Sequence, residues 1–197
     1  ASRCGYRVAL ARTRQAEGLG RCECTGACSL QACLNAVLGI ECTDRTCAFG
    51  SRCAGRCENR QFARAQRGAL DRRTEIFFTG ASRGFGLRAT VPFKAHELVA
   101  EYIGDVVPTH ELRSHRYAMQ LKSNVAINAS SAGGPGRFVN HSCSPNCYAQ
   151  RWVVAGELRI GLFAGRDIGP QEELTFSYAQ GGRGFGSLDA PETCMCQ

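Results

Sequence analysis

The sequence contains no apolar run long enough to cross a bilayer, and its first residues lack the pattern of a secretory signal peptide. These absences argue against a membrane protein. No internal repeat is present, and helical patterns are scarce beyond residue 76. With 197 residues, 44% of them hydrophobic, the chain suits one core of ordinary size, or a main domain with a small satellite. Because it begins with Ala1 rather than Met and carries a cysteine next to its end, we expect a segment of a longer protein.

Basic residues are unevenly distributed along the chain, whose net charge is +7. Residues 1–75 contain 13 arginines and 7 acidic residues, a net charge of +6. Residues 76–197 contain 11 basic and 10 acidic residues, a net charge of +1. A basic N-terminal half suits contact with DNA phosphate, although a solvated basic face without a partner has the same composition.

Cysteine, in contrast, is abundant: the chain has 13, and eight of them are crowded between Cys22 and Cys57. Disulfides would suit a small secreted scaffold, whereas zinc thiolates would suit an intracellular domain. We favour zinc, because Cys22-x-Cys24 is too close for an easy disulfide but suits two ligands of one metal. Eight thiolates would hold two separate ions, and seven would hold two ions that share one sulfur. The ligand candidates are Cys22, Cys24, Cys28, Cys33, Cys42, Cys47, Cys53 and Cys57.

Composition divides the chain into four parts. Residues 1–20 form a basic arm with some helix at 6–16, and residues 21–67 form the cysteine-rich module. This module has too little apolar surface to fold alone, so we expect metal to substitute for a core. A domain at 68–178 follows, and the glycine-rich segment 179–197 ends in a second Cys-x-Cys pair.

Short strand-like runs separated by glycine predict a mostly β domain of small sheets with irregular connections. The predicted strands are 76–78, 84–89, 98–107, 117–121, 125–127, 158–163 and 173–176, with one short helical turn at 110–114. The segment 137–147 differs, because it sets Asn, His and Cys beside a Phe and contains Ser-Pro turn chemistry. We predict a constrained loop there, and a functional site.

Several motifs in a fixed order resemble those of the SET-domain protein lysine methyltransferases. They are Gly84-x-Gly86, Glu101-Tyr102-x-Gly104, Arg137-Phe138-x-Asn140-His141-Ser142-Cys143-x-Pro145-Asn146-Cys147 and Leu174-Thr175-Phe176-x-Tyr178. The cysteine cluster resembles the AWS zinc module, and Cys194-x-Cys196 resembles the start of a post-SET zinc site. Such an ordered set is far more specific than any single motif.

The resemblance implies a basic arm at 1–20, an AWS-like module at 21–67, a SET catalytic domain at 68–178 with a knot-like C-terminal crossing, and a partial post-SET segment at 179–197. Within the family, the AWS module accompanies enzymes that methylate histone H3 at lysine 36. The implied reaction therefore moves methyl groups from S-adenosylmethionine to that lysine in nucleosomes. The implied partners are the histone H3 tail and DNA phosphate, and the implied location is nuclear chromatin.

The family pattern also implies roles for particular residues. Tyr178 matches the catalytic tyrosine, and the walls of the lysine channel match Tyr102, Tyr117 and Phe176. Because Phe176 lacks a hydroxyl that would crowd the amine, at least dimethylation is implied. The matching cofactor-binding residues are Arg83, Gly84, Phe85, Gly86, Arg137, Asn140, His141 and Met195.

Zinc ligands follow from the same resemblance. Two ions are implied in the AWS-like module; the family pattern uses seven cysteines there, so either Cys47 or Cys53 is spare. A third ion is implied at the C-terminus, with Cys143, Cys194 and Cys196 as its ligands.

The sequence departs from the family pattern at several points. Ser177 stands where Asp or Asn is usual, Gly134 replaces an Asn, and Arg116 replaces an aromatic residue near the cofactor. The segment 107–117 is shorter than the helical insert that borders the peptide groove in the family. The sequence also ends at Gln197, before the next post-SET cysteine.

Two other interpretations remain at this level. The chain is alternatively a catalytically silent SET module that binds histone or chromatin, which the short segment and Arg116 favour. A zinc-stapled DNA-binding protein would explain the basic, cysteine-rich half, but it leaves the motifs from Gly84 to Tyr178 unexplained.

Overall fold

The computed structural model describes residues 20–53, 57–65 and 72–178. The arm at 1–19, with its predicted helix, lies outside these residues. Within them, the two α-helices are single turns, α1 (Leu34–Val37) and α2 (Gln61–Arg64), and short 3-10 turns occupy Gly50–Cys53, Thr109–Glu111 and Pro135–Phe138. No described helix has the length and apolar character needed to span a membrane.

Strands dominate the described part of the chain, which confirms the predicted mostly β class. They are β1 (Thr74–Gly80), β2 (Gly84–Ala89), β3 (Leu98–Glu101), β4 (Asp105–Pro108), β5 (Ala118–Lys122), β6 (Val125–Asn128), β7 (Asn140–His141), β8 (Cys147–Val154), β9 (Glu157–Ala164) and β10 (Thr175–Phe176). They form a β1–β2 hairpin, a five-stranded sheet of order β3-β9-β8-β10-β7 and a three-stranded sheet of order β4-β6-β5.

The predicted elements differ from the observed ones in several places. The run 98–107 is two strands in different sheets, because the chain leaves the five-stranded sheet at Glu101 and enters the three-stranded sheet at Asp105. Gly104 permits this change, since a Cβ there would overlap the Asn128 backbone. Sequence reasoning missed β8 altogether, and it predicted a loop throughout 137–147, where residues 140–141 form β7 because they pair with β10. The predicted turn at 110–114 lies instead at Thr109–Glu111.

The C-terminal strand β10 makes the crossing that gives the fold its knot-like character. It lies between β7 and β8 and runs parallel to both, with Thr175 opposite Asn140 and Phe176 opposite both His141 and Cys147. The loop 142–146 joins β7 to β8, so the end of the domain passes between the two ends of that loop. Parallel pairing thus brings residues 140–141 and 175–178 together despite their distance in sequence.

The cysteine-rich module packs against the five-stranded sheet. The Glu41 amide donates to the Val153 carbonyl at 2.9 Å, and the Val153 amide donates to the Gly39 carbonyl at 2.8 Å. From α2, the buried Phe62 ring lies 6.0 Å from the Trp152 ring and 6.1 Å from the Phe163 ring. The module therefore does not depend on metal alone, because the sheet supplies much of its apolar core.

We expect Phe62→Ala to lower the free energy of unfolding by about 3–5 kcal/mol, because it removes a fully buried ring between the module and the sheet. Urea denaturation would measure this change. Phe78→Ala is the matched control: that ring is 62% exposed, so its removal should change stability by less than about 1 kcal/mol. Equal losses in the two variants would contradict the proposed role of Phe62 in docking.

Candidate functional site

A cavity of about 360 Å³ lies among β2, the start of β5, the turn at Pro135–Phe138 and the end of β10. Its volume is within the range of about 300–1,000 Å³ found for small-molecule sites. The structure brings nine of the predicted site residues to its walls: Arg83, Gly84, Phe85, Tyr102, Tyr117, Arg137, Asn140, Phe176 and Tyr178. Gly86 and His141 are not among the lining residues, and Met195 lies outside the described residues.

Tyr178 is held by the motif segment 137–141. Its hydroxyl donates to the Val139 carbonyl at 3.1 Å, and its backbone amide donates to His141 Nδ1 at 3.1 Å. An imidazole nitrogen that accepts a hydrogen bond carries no proton, so neutral His141 is protonated at Nε2. The Tyr178 ring also lies 4.9 Å from the Phe176 ring and 5.3 Å from the His141 ring. The loop and the C-terminal strand thus build one aromatic wall together.

Tyr102 and Tyr117 form another aromatic part of the cavity wall. The Tyr102 hydroxyl donates to the Tyr117 carbonyl at 2.8 Å. Burial, reinforced by the nearby Tyr178 phenol, raises the pKa of Tyr102 above its ordinary value. Tyr102 therefore stays protonated and acts as a hydrogen-bonding group rather than a base. Tyr117 has a φ of +59°, a left-handed conformation that costs a non-glycine residue energy and is often found at functional sites.

Three arginines make the cavity cationic. The Arg137 and Arg116 guanidinium carbons lie 4.5 Å and 5.3 Å from the centre of the Tyr117 ring. Arg83 is 3.4 Å from Glu173. No carboxylate lines the cavity in the part of the chain that the structure describes. The positive charge of these arginine side chains suits a ligand with an acceptor or anionic group.

Sequence reasoning missed Glu173, which fixes Asn140. Asn140 Nδ2 donates to Glu173 Oε1 at 2.9 Å and approaches the Phe85 carbonyl at 3.4 Å. Gly86 permits this arrangement, because a Cβ there would lie 2.9 Å from Glu173 Oε1 and 3.0 Å from Asn140 Nδ2. Gly84, in contrast, has open space around it and a φ of +73°, which favours glycine at this turn. The pair of acidic residues before Leu174 was the sequence feature that could have indicated Glu173.

Met119 and Val139 also line the cavity, and no feature of the sequence indicated them.

A second cluster consists of cysteine sulfurs in the N-terminal module. Two groups of four have all their sulfurs within 4.8 Å of one another: Cys22, Cys24, Cys28 and Cys33, and Cys22, Cys28, Cys42 and Cys47. Individual separations are 3.6 Å for Cys22–Cys28, 3.6 Å for Cys28–Cys47 and 3.7 Å for Cys33–Cys42. Four sulfurs at ~2.3 Å from one zinc ion stand about 3.8 Å apart in a tetrahedron. The cluster therefore has the spacing that zinc requires.

The charge of the cluster also calls for a cation. Burial, together with the neighbouring sulfurs, raises the pKa of Cys28, and burial raises the pKa of Cys42. For Cys22, burial opposes ionisation, but hydrogen bonds, chiefly from the Ala48 amide, outweigh it and lower the pKa to about 6. Crowded thiolates of this kind become stable together only when a metal ion neutralises them. The cluster could thus bind zinc.

The other predicted zinc ligands whose side chains the structure describes, Cys57 and Cys143, belong to neither sulfur group. Cys57 is buried in the core that surrounds the cluster, whereas Cys143 is exposed, with its sulfur 3.6 Å from His141 Nε2. The Cys53 side chain, Cys194 and Cys196 lie outside what the structure describes. Cys147 is buried in the domain core.

Fold and site together define a class: a protein of small β sheets with a threaded C-terminal strand, an aromatic and cationic small-molecule cavity, and a separate thiol cluster. Residues 84–179 match the SET domain family. The fold is also similar to a chain of apo ctPRC2 with mutations in Ezh2, with a TM-score of 0.65, 24% identity, and coverage of 81% of this chain and 24% of that chain. At that identity the likeness concerns the fold alone.

Curated relatives agree with this match. A histone-lysine N-methyltransferase, H3 lysine-36 specific, from Cryptococcus neoformans is 39% identical over 83% of this chain and 19% of its own length. A protein of the same name from Schizosaccharomyces pombe is 39% identical over 74% of this chain and 18% of its own length. The histone-lysine N-methyltransferase ASHH2 from Arabidopsis thaliana is 35% identical over 84% of this chain and 9% of its own length. The chain belongs to the SET-domain family, whose methyltransferases use S-adenosylmethionine, and it spans about a fifth or less of these relatives' length.

We expect Gly86→Ala to destabilise the domain by about 1–3 kcal/mol, because the added methyl would crowd Asn140 and Glu173 and lie 2.6 Å from Thr79 Cγ2. Chemical denaturation would measure the loss. Gly20→Ala is the control, since nothing lies within 4 Å of a Cβ at that position. If Gly86→Ala unfolds at the wild-type denaturant concentration, the close packing of Asn140 against β2 is wrong.

Proposed function

We propose that this chain is a protein-lysine N-methyltransferase that transfers methyl groups from S-adenosylmethionine to lysine 36 of histone H3 in nucleosomes. The observation that carries the proposal is the convergence of four aromatic residues with Arg137 and Asn140 on one cavity. Its support is the similarity to relatives named for H3 lysine 36.

The polar part of the cavity fits the methyl donor. The Arg137 side chain offers positive charge to its carboxylate, Asn140 Oδ1 offers an acceptor because both Nδ2 hydrogens are already used, and the half-exposed Phe85 ring offers an apolar surface to its adenine. Gly84 lets the backbone of β2 approach closely. When bound, S-adenosylmethionine supplies an electrophilic methyl group on its sulfonium sulfur.

The aromatic part of the cavity fits a lysine side chain. Tyr102 and Phe176 are buried, and rings of this kind disfavour the ammonium form, so they lower the pKa of an entering lysine. The three arginines act in the same direction through like charge. The hydroxyls of Tyr102 and Tyr178, which are fixed by backbone carbonyls, can orient the neutral amine for in-line attack. These residues would therefore orient the lysine amine and keep it uncharged.

The zinc proposal extends to the number of ions. We propose two ions in the cysteine-rich module, because the two sulfur groups share Cys22 and Cys28 and so resemble a binuclear site with shared thiolates. A third ion would use Cys143 with Cys194 and Cys196. All three ions would fix geometry rather than react.

The remaining expectations concern location and context. We propose the division into an arm at 1–20, an AWS-like module at 21–67, a SET domain at 68–178 and a post-SET segment at 179–197. A nuclear, chromatin-bound protein follows from a histone substrate. Contacts of the basic N-terminal half with DNA phosphate would add affinity that falls with salt.

A catalytically silent module that binds histone or chromatin is the second candidate. Arg116 favours it, because its exposed guanidinium lies at the cavity beside Tyr117. The short link between β4 and β5, where the described backbone forms only the turn Thr109–Glu111 and irregular chain, leaves less wall for a peptide groove. Cofactor binding without turnover would establish this candidate.

We expect methyl transfer from labelled S-adenosylmethionine to recombinant nucleosomes, and a loss of about 100-fold or more in Tyr178→Phe, which lacks the placed hydroxyl. Tyr148→Phe is a matched control, because the Tyr148 hydroxyl contacts His96 on the other side of the sheet. Nucleosomes with arginine at lysine 36 of histone H3 should not be methylated. If those nucleosomes are methylated, the chain is a methyltransferase but lysine 36 is not its target. If the chain binds the cofactor but transfers no methyl group, the silent module is favoured.

The product state is a separate prediction, because Phe176 lies against Tyr178 without a hydroxyl of its own. We expect the wild type to form at least dimethyl-lysine and Phe176→Tyr to stop mainly at monomethyl-lysine, since the added hydroxyl would hold water and crowd the amine. Mass spectrometry of the histone peptide would distinguish the products. Phe78→Tyr, on the exposed hairpin face, should behave as the wild type. If the wild type forms monomethyl-lysine and no higher state, the prediction is wrong.

A further inference from the structure

Two asparagines of the cysteine-rich module are buried and point at the same sulfur. Asn35 is 3% exposed and Asn59 is 1% exposed. Asn35 Nδ2 lies 3.5 Å from Cys42 Sγ, and Asn59 Nδ2 lies 3.4 Å from Cys42 Sγ and 3.8 Å from Cys33 Sγ. The mechanism proposed above uses neither side chain.

Hydrogen counting assigns one amide hydrogen of each asparagine to sulfur. An amide nitrogen has two hydrogens. One hydrogen of Asn35 goes to the Thr46 carbonyl at 3.0 Å, and one of Asn59 goes to the Ile40 carbonyl at 2.8 Å. The second hydrogen of each is left for Cys42. A buried donor without an acceptor costs about 1–3 kcal/mol, so both amides favour a sulfur that carries negative charge.

Asn59 also connects the cluster to the sheet. Its backbone carbonyl accepts the Cys42 amide at 3.0 Å. Ile40, whose carbonyl it holds, pairs with Val153 of β8. Helix α2, with its buried Phe62, begins two residues later. The position of Cys42 is therefore tied to the same short segments that dock the module on the sheet.

We propose that Asn35 and Asn59 are positioning residues that hold Cys42 as a zinc-bound thiolate and couple the zinc cluster to the catalytic sheet. This rests on the zinc proposal made above, although not on methyl transfer. Partners of metal ligands generally alter metal affinity by about 10–100-fold when they are removed. Their conversion to leucine keeps the side-chain volume close to that of asparagine while it removes both donors and the acceptor.

The test compares zinc release from the purified full chain. Metal analysis first establishes zinc in the wild type, and release to a coloured chelator is then timed for Asn59→Leu and Asn35→Leu. We expect release to be about 10–100-fold faster in Asn59→Leu and faster, to a smaller extent, in Asn35→Leu. Asn146→Leu is the matched control: Asn146 is also buried, at 4% exposure, but it bonds to Glu172, Glu173 and Thr175. It should lose stability without faster zinc release.

A spectroscopic arm separates positioning of the sulfur from simple loosening of the fold. In cobalt-substituted protein, the thiolate-to-cobalt charge-transfer band should shift in Asn35→Leu, whose contacts lie within the module, even if Asn59→Leu fails to fold. Release rates and spectra equal to those of the wild type would overturn the proposal. Equal acceleration in Asn146→Leu would overturn it too, since the effect would then be general destabilisation. A wild type without zinc would refute the zinc proposal and this inference together. That result would not bear on the proposed methyltransferase activity, which is tested separately.

Discussion

The arrangement of the candidate site depends on one buried amide, that of Asn146. Its Nδ2 donates to the Glu173 carbonyl at 2.8 Å and to Glu172 Oε1 at 2.9 Å, and its Oδ1 accepts the Thr175 amide at 2.9 Å. Strand β10 has only two residues, so its own ladder contributes few hydrogen bonds. The side chain of Asn146 supplies the missing ones at the point where β10 enters between β7 and β8. Tyr178 and Asn140 face one cavity because this crossing holds.

The cysteine-rich module and the five-stranded sheet stabilise each other through two different effects. Burial of the rings of Phe62, Trp152 and Phe163 is a hydrophobic contribution of several kcal/mol, and it needs no metal. The sulfur cluster contributes differently, because its crowded and buried Cys28 and Cys42 thiols resist ionisation and stay protonated without a cation. Zinc would replace those protons and add the free energy of metal binding to the stability of the module. Since Ile40 and Glu41 join both regions, loss of either contribution should loosen the back of the five-stranded sheet.

Sequence reasoning succeeded where local chemistry decides the structure. A short strand-like run with glycines predicted β2 at 84–89. Dense polar residues beside turn signals predicted a loop and a site at 137–147; the structure has a loop only at 142–146, because the 3-10 turn, β7 and the start of β8 occupy most of the rest. The motif order, through its family resemblance, assigned the aromatic residues that the structure brings to the cavity. The cysteine spacing predicted the sulfur cluster but left the grouping open, because grouping depends on how the chain folds back on itself.

Sequence reasoning failed where a partner distant in the chain decides the structure. The run 98–107 is uniformly strand-like, and only the contact of Gly104 with the Asn128 backbone divides it between two sheets. Strand β8 alternates apolar and polar residues weakly, since its two faces pack against two different cores. Glu173, Asn59 and Asn146 act through hydrogen bonds to residues 17 to 33 positions away, and no local pattern marks such contacts.

The composition of the cavity constrains how an amine could lose its proton. Among the described residues that line it there is no carboxylate and no imidazole, and the pKa of Tyr102 is raised by burial. His141 lies close but presents Nδ1 to the Tyr178 amide, so its acceptor nitrogen is already used. A general base is therefore not supplied by these walls. Three guanidiniums and buried rings would instead lower the pKa of an entering lysine amine. The amine would then lose its proton to water before the side chain is fully enclosed. Catalysis in this site would consist of selecting and aligning a neutral amine, and the fixed hydroxyls of Tyr102 and Tyr178 are placed for that task.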